Sequence, residues 1–88
     1  NGLKVEQPLS PETRAAEALM MGLRLAEGVD LSALEAKTGL ARAQMIDGAE
    51  VEKLGALGFV ERRGDRLSIL PKGTPLLDAL LPRLIADA

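Results

Sequence analysis

Apolar residues recur along the chain at two spacings, which separate helical segments from strands. Between Ser10 and Glu27 they follow a helical period. Ser10 followed by Pro11 is a typical helix start, because the hydroxyl caps free N–H groups and proline costs nothing in the first turn. Gly28 supplies a residue that can end the helix. The pattern therefore predicts a first helix from about Pro11 to Glu27.

Two shorter helices are predicted next. Asp30 can cap a second helix, which would end at Gly39. Asp47 and Glu50 have the spacing of a capping box, so we expect a break near Asp47 and a third helix that runs to Leu57.

Residues 59–70, "FVERRGDRLSIL", predict a β-hairpin. A two-residue turn of Gly64 and Asp65, with Gly64 at positive φ, would pair Arg63 with Arg66. In that register one face carries Val60, Leu67 and Ile69, and the other carries Glu61, Arg63, Arg66 and Ser68. We therefore expect one buried face and one exposed face.

The last helix should begin at Thr74 and Pro75, which repeat the cap and proline of the first. Its broad apolar stripe consists of Leu76, Leu77, Leu80, Leu81, Leu84 and Ile85. Pro82 removes one backbone hydrogen bond, so we expect a kink or an early end. The predicted fold is mainly α with a small β-hairpin, winged-helix-like, over residues 10–88, and residues 1–9 are interpreted as a linker or tail.

The amino-acid composition limits the classes of function that the chain can have. The 88 residues contain 13 acidic and 11 basic side chains, a net charge of -2, which gives no field that attracts nucleic acid or an anionic membrane. The absence of Cys and His removes thiolate chemistry, the usual general base and the commonest metal ligand. No apolar run is long enough to span a membrane. We expect a cytoplasmic protein and, since the chain starts with Asn1, a piece of a longer one.

Few side chains suggest chemistry of their own. The serines have no histidine to activate them, so we expect no autonomous active site. A metal cluster could be imagined at Asp47, Glu50 and Glu52, but capping and solvation are favoured for these acids.

The predicted hairpin carries a small basic group, Arg62, Arg63 and Arg66, which could contact nucleic-acid phosphates. The helix beside it offers Glu50 and Glu52 against Lys53, and acids there repel the phosphate backbone. A solvated hairpin whose arginines pair with Glu61 and Asp65 is therefore favoured.

The first helix is apolar on two sides. One stripe is expected to face the core and consists of Ala16, Leu19, Met20, Leu23 and Ala26. The second stripe consists of Ala18, Met21 and Leu25 and lies beside Arg14, Glu17 and Arg24. Either the rest of the domain covers both stripes, or the second stripe is a docking face, for which the flexible thioether of methionine is well suited.

Two segments resemble a known family. They are "EALMMGLRLAEGVDLSALEAKTG" at 17–39 and "LGALGFVERRGDRLSILPKG" at 54–73. Both are similar to the C-terminal domain of radical S-adenosylmethionine proteins of the oxygen-independent coproporphyrinogen III oxidase type. The first segment looks most like the branch regarded as heme chaperones.

The resemblance implies a parent protein with an N-terminal barrel that binds S-adenosylmethionine and a four-iron cluster through a Cys-x3-Cys-x2-Cys motif. No such motif occurs here, so the resemblance places no cofactor, metal or catalytic residue on this chain. It implies an accessory domain that packs on the barrel, with heme or porphyrin as the parent's partner. A winged-helix nucleic-acid binder and a homodimerisation module are the alternatives.

Overall fold

The computed structural model describes residues 10–86. The helices are α1 (Pro11–Gly22), α2 (Leu31–Thr38), α3 (Arg42–Met45), α4 (Gly48–Ala56) and α5 (Leu77–Leu84). The strands are β1 (Val29–Asp30), β2 (Val60–Arg63) and β3 (Arg66–Ile69). The fold is mainly helical with a small antiparallel sheet, so the predicted class, mainly α with a small β element, is confirmed, and a winged-helix-like arrangement is compatible with it.

The first helix is shorter than predicted. It ends at Gly22 rather than Glu27. The chain then forms turns in which Leu25 N–H donates a hydrogen bond to the Gly22 carbonyl (3.1 Å) and Gly28 N–H donates one to the Leu25 carbonyl (3.0 Å). This turn brings Val29 into the sheet beside Leu67. A helix that continued to Glu27 would carry Val29 away from that pairing.

Gly28 therefore serves the sheet rather than the helix end. Its φ of 75° lies in the left-handed region, and a Cβ here would overlap the Leu67 carbonyl oxygen. The close backbone approach lets β1 pair with β3, which makes a third strand that the sequence pattern did not predict.

The hairpin has the predicted register. Val60 pairs with Ile69, Arg62 with Leu67, and Arg63 with Arg66, while Gly64 takes a φ of 57°. The strand order β1-β3-β2 places β3 in the centre of the sheet.

The caps of α2 and α4 lie where they were predicted. Asp30 accepts from Ala33 N–H (3.2 Å), and Gly39 ends α2 at a φ of 77°. Asp47 accepts from the N–H groups of Ala49 and Glu50 (3.1 and 3.2 Å) at the start of α4. A full capping box would also have the Glu50 side chain accept from the backbone N–H of Asp47. That part of the prediction is wrong, because this N–H donates to the carbonyl of Leu84 (2.8 Å).

The last helix begins differently from the prediction but ends early, as Pro82 indicated. Thr74 makes no capping bond, and a 3-10 turn over Thr74–Leu76 precedes α5. Pro82 lies inside the final turn, and the helix ends at Leu84, which agrees with an early end. Ile85 then pairs with Ile46 as an isolated bridge, which closes the domain.

The core lies between the helices and the inner face of the sheet. Its fully buried side chains include Leu19, Leu23, Leu31, Leu54, Leu67 and Leu84. On α1 the buried face runs through Ala15, Leu19 and Leu23, so the predicted core positions Met20 and Ala26 are wrong: both are exposed. Among residues 10–86 no helix has the length and apolar character needed to cross a membrane.

Candidate interaction surface

The hairpin arginines bond to groups on their own surface. Arg63 pairs with Glu61 (3.4 Å), Arg62 Nε donates to the Gly64 carbonyl (3.3 Å), and Arg66 Nη1 donates to the Glu27 carbonyl (3.0 Å). The predicted pairing with Glu61 is confirmed. All three arginines are exposed, and nucleic-acid contact stays the untested alternative to a solvated hairpin.

Asp65 pairs with Arg42 rather than with a hairpin arginine. Arg42 contacts Asp65 (3.1 Å) and Glu35 (3.0 Å), and it donates to the Ser32 hydroxyl (3.4 Å). The hydrogen bond to Glu35 raises the pKa of Arg42, while Ser32 and Arg42 lower the pKa of the Asp65 carboxyl. The guanidinium thus joins α2 and α3 to the hairpin turn. No local spacing indicated this contact, because Arg42 and Asp65 are distant in the sequence.

The acidic residues of α4 have structural partners. Asp47 caps the helix. Glu50 forms ion pairs with Arg83 (2.8 Å) and Lys53 (3.3 Å). Both contacts lower the pKa of Glu50, and Lys53 is the larger cause. Glu52 is exposed. Within residues 10–86 no three acidic side chains gather in a geometry that could hold a metal ion. Capping and ion pairing account for this cluster.

The predicted docking residues lie at the end of α1 and in the turn that follows. Met21 is 72% exposed and Leu25 is 53% exposed, whereas Ala18 is partly buried and packs against the core. Met21 is the most exposed large apolar side chain among the described residues. The rest of the domain therefore leaves most of this second stripe uncovered.

The early end of α1 divides these residues between two grooves. Ala18 and Met21 line a groove of about 280 Å³ between α1 and α2. Leu25 lines a separate groove of about 470 Å³, whose other walls include Ile69 of β3 and Leu77 of α5. The structure thus brings Ala18 and Met21 together and places Leu25 in a different groove.

The spacing of apolar residues in the sequence did not predict a third groove. It lies between α1 and α5, has a volume of about 290 Å³, and is lined by Met20, Leu81 and Pro82. Met20 was assigned to the core but is 40% exposed at this edge. The signal available in the sequence was Pro82, because a proline near the end of a helix limits how far that helix can cover its neighbour.

The chain's own side chains do not fit an iron-sulfur cluster. Such clusters are held by cysteine thiolates, and the 88 residues contain no Cys and no His. Any cluster in a protein that carries this domain must take its ligands from other segments.

Comparison with known proteins finds two similarities. The family model described as the HemN C-terminal domain matches residues 9–76. A Dictyostelium discoideum protein named radical S-adenosyl methionine domain-containing protein 1, mitochondrial, is 35% identical over 79 residues, which are 89% of this chain and 18% of that protein. The chain thus spans less than a fifth of this relative. No solved structure matches.

Proposed function

The chain belongs to the HemN C-terminal domain family, and from this membership we propose that it is the accessory domain of a radical S-adenosylmethionine protein of the oxygen-independent coproporphyrinogen III oxidase type. The similarity to a relative named for its radical S-adenosylmethionine domain supports this proposal. The parent acts in heme or porphyrin biosynthesis or in heme delivery.

Within that parent, the domain packs against the barrel through Met21 and Leu25. The observation that carries this role is the exposure of both side chains, 72% and 53%, four positions apart at the end of α1 and in the turn that follows. Full burial of one such side chain is worth about 1.5 to 3 kcal/mol, so a partner that covers both gains a substantial part of a docking free energy.

The redox chemistry and the porphyrin belong to the rest of the parent. A bound cluster with S-adenosylmethionine would supply radical chemistry there, and this chain has no thiolate to take part. Of the side chains that commonly ligate heme iron, it has methionine but lacks His, Cys and Tyr. The domain's own contribution is therefore to position or cover the barrel.

Hydrogen exchange in the full-length parent tests the docking. Met21→Ser together with Leu25→Ser should speed amide exchange along α1, because the variant loses the apolar contacts that hold the domain on the barrel. Leu57→Ser is the matched control: Leu57 is 52% exposed at the end of α4 and lines none of the three grooves. Equal exchange in both variants would remove the docking surface, and a dimer of the 88-residue chain that buries Met21 would favour homodimerisation.

Heme titration of the intact parent, followed by its Soret absorption, tests the chemical assignment. We expect heme binding or coproporphyrinogen oxidation by the parent. Met20→Leu with Met21→Leu should leave the Soret spectrum unchanged, because the iron ligands lie outside this domain. A parent with neither activity overturns the heme and porphyrin assignment, and a changed spectrum would place an iron ligand here.

A further inference from the structure

The groove between α1 and α2 has a charged rim around an apolar floor. Ala18 and Leu34 lie at the floor, and Met21 stands at its edge. Arg14 of α1 and Lys37 of α2 are on the rim, so cations stand on both walls. The site therefore offers an apolar contact and positive charge together.

These two cations differ from the other basic side chains of residues 10–86. Every other Arg and Lys there bonds a carboxylate or a backbone carbonyl, whereas the side chains of Arg14 and Lys37 make neither contact with a residue in that range. Of the acidic side chains that the structure describes, Glu17 alone lines the groove; it is also exposed and pairs with neither cation. In a chain of net charge -2, this groove is locally positive.

We propose that the groove receives an apolar side chain of the parent's radical S-adenosylmethionine barrel, flanked by carboxylates that pair with Arg14 and Lys37. This inference rests on the proposed function and names the chemistry of the surface that the domain meets. Complementary charges of this kind fix the register of an interface more than they set its affinity.

Other occupants fit the groove less well. It is an open groove of about 280 Å³, whereas pockets for drug-sized ligands bury most of the ligand surface. A second copy in a two-fold interface would present the same cations to this surface, and like charges oppose that contact. Nucleic acid would meet Glu17 beside only two cations.

Carbodiimide coupling of the intact parent tests the inference. The reagent activates a carboxylate, and an adjacent lysine amine displaces it as a urea to leave an amide. Peptide mapping should find Lys37 joined to an Asp or Glu of the barrel, with a yield that falls as salt is raised before coupling. Lys53 is the internal control, because it already lies 3.3 Å from Glu50 within the chain and should couple to it.

Two variants separate charge from packing. Lys37→Arg should abolish the cross-link but keep normal exchange along α1, because the charge remains. Arg14→Glu with Lys37→Glu should speed that exchange by about fivefold or more, because it removes two exposed ion pairs and fivefold is the upper value for one. Arg62→Glu with Arg63→Glu makes the same charge change on the hairpin and should leave α1 unaffected.

The outcomes distinguish this inference from the proposed function. Coupling of Lys37 only to Glu17 or to a second copy would overturn it. If the Met21 and Leu25 variant loosens α1 while charge reversal and coupling show nothing, docking stands and the acidic partner surface is wrong. If neither variant changes exchange, both proposals fail.

Discussion

Leu19 and Leu25 allow a matched comparison of a buried and an exposed leucine. Leu19 lies in α1 with 0% exposure, and Leu25 lies in the following turn with 53% exposure. Replacing each by alanine removes the same atoms from neighbouring segments of the chain. Any difference in the free energy of unfolding therefore reports the surroundings of the side chain rather than its chemistry.

The expected magnitudes differ several-fold. Leu19→Ala loses three carbon groups from the core, roughly 2.4 kcal/mol of transfer free energy at about 0.8 kcal/mol per group. The cavity left behind brings the loss to about 2 to 5 kcal/mol. Leu25→Ala should cost no more than about 0.5 kcal/mol, because surface changes away from special features stay in that range.

Urea denaturation of the 88-residue chain measures both losses. A domain of this length has a total stability of about 4 to 13 kcal/mol, so Leu19→Ala should remove a large part of it, while Leu25→Ala should leave the midpoint almost unchanged. Equal losses in the two variants would refute the placement of Leu19 in the core. A large loss at Leu25 alone would show that the domain itself covers Leu25 and would remove it from the docking surface.

Three further predictions concern charged groups. Arg42→Met should lower the melting temperature, followed by circular dichroism, by about 4 to 8 °C. This is the shift expected when two partly exposed ion pairs worth about 1 kcal/mol together are lost. An unchanged melting temperature would exclude a stabilising role for Arg42. The unfolding midpoint should fall as the pH drops below about 4.5, because Glu50 and Asp65 have lowered pKa values in the folded chain and lose their stabilising charge on protonation; a flat profile contradicts this. Arg63→Glu with Arg66→Glu should change stability by less than about 0.5 kcal/mol, and wild-type chain should show no saturable anisotropy change with labelled duplex DNA; binding that the double variant abolishes would favour the nucleic-acid interpretation.

Elements whose ends are set by local chemistry could be predicted from the sequence. Asp30 and Asp47 cap their helices because a carboxylate accepts from N–H groups only two or three residues away. Gly64 fixes the hairpin register because its positive φ suits a two-residue turn. In each case the interacting groups lie within one short sequence window.

Elements set by distant contacts could not be predicted in the same way. The pattern from Leu23 to Ala26 is helical, yet pairing of Val29 with Leu67 requires the chain to turn back earlier. A two-residue strand such as β1 leaves no periodic signal. The contact of Arg42 with Asp65 likewise joins residues that only the folded chain brings together.

Some features of the candidate surface follow from local sequence spacing, and others depend on contacts between distant residues. Helical spacing placed Ala18 and Met21 on one side of α1, and the structure keeps them in one groove. Leu25 was assigned to the same stripe on the assumption of a longer helix, and the turn after Gly22 moves it to the groove beside the sheet. The exposure of Met21 and Leu25 was an expectation of the docking hypothesis, while their division between two grooves depends on the tertiary fold.

That division has a consequence for how a partner would be oriented. The groove at Met21 has α2 as its second wall, and the groove at Leu25 has β3 and α5 as its other walls, so a partner that fills both contacts the helical layer and the sheet together. Among the described residues, the cations with no carboxylate or carbonyl partner, Arg14 and Lys37, stand at the α2 side. In the proposed docking, a carboxylate-bearing partner is therefore drawn to the side of Arg14 and Lys37, while apolar burial acts at both grooves. Under the proposed docking, charge sets the direction of approach, and burial of the two exposed apolar side chains supplies most of the free energy.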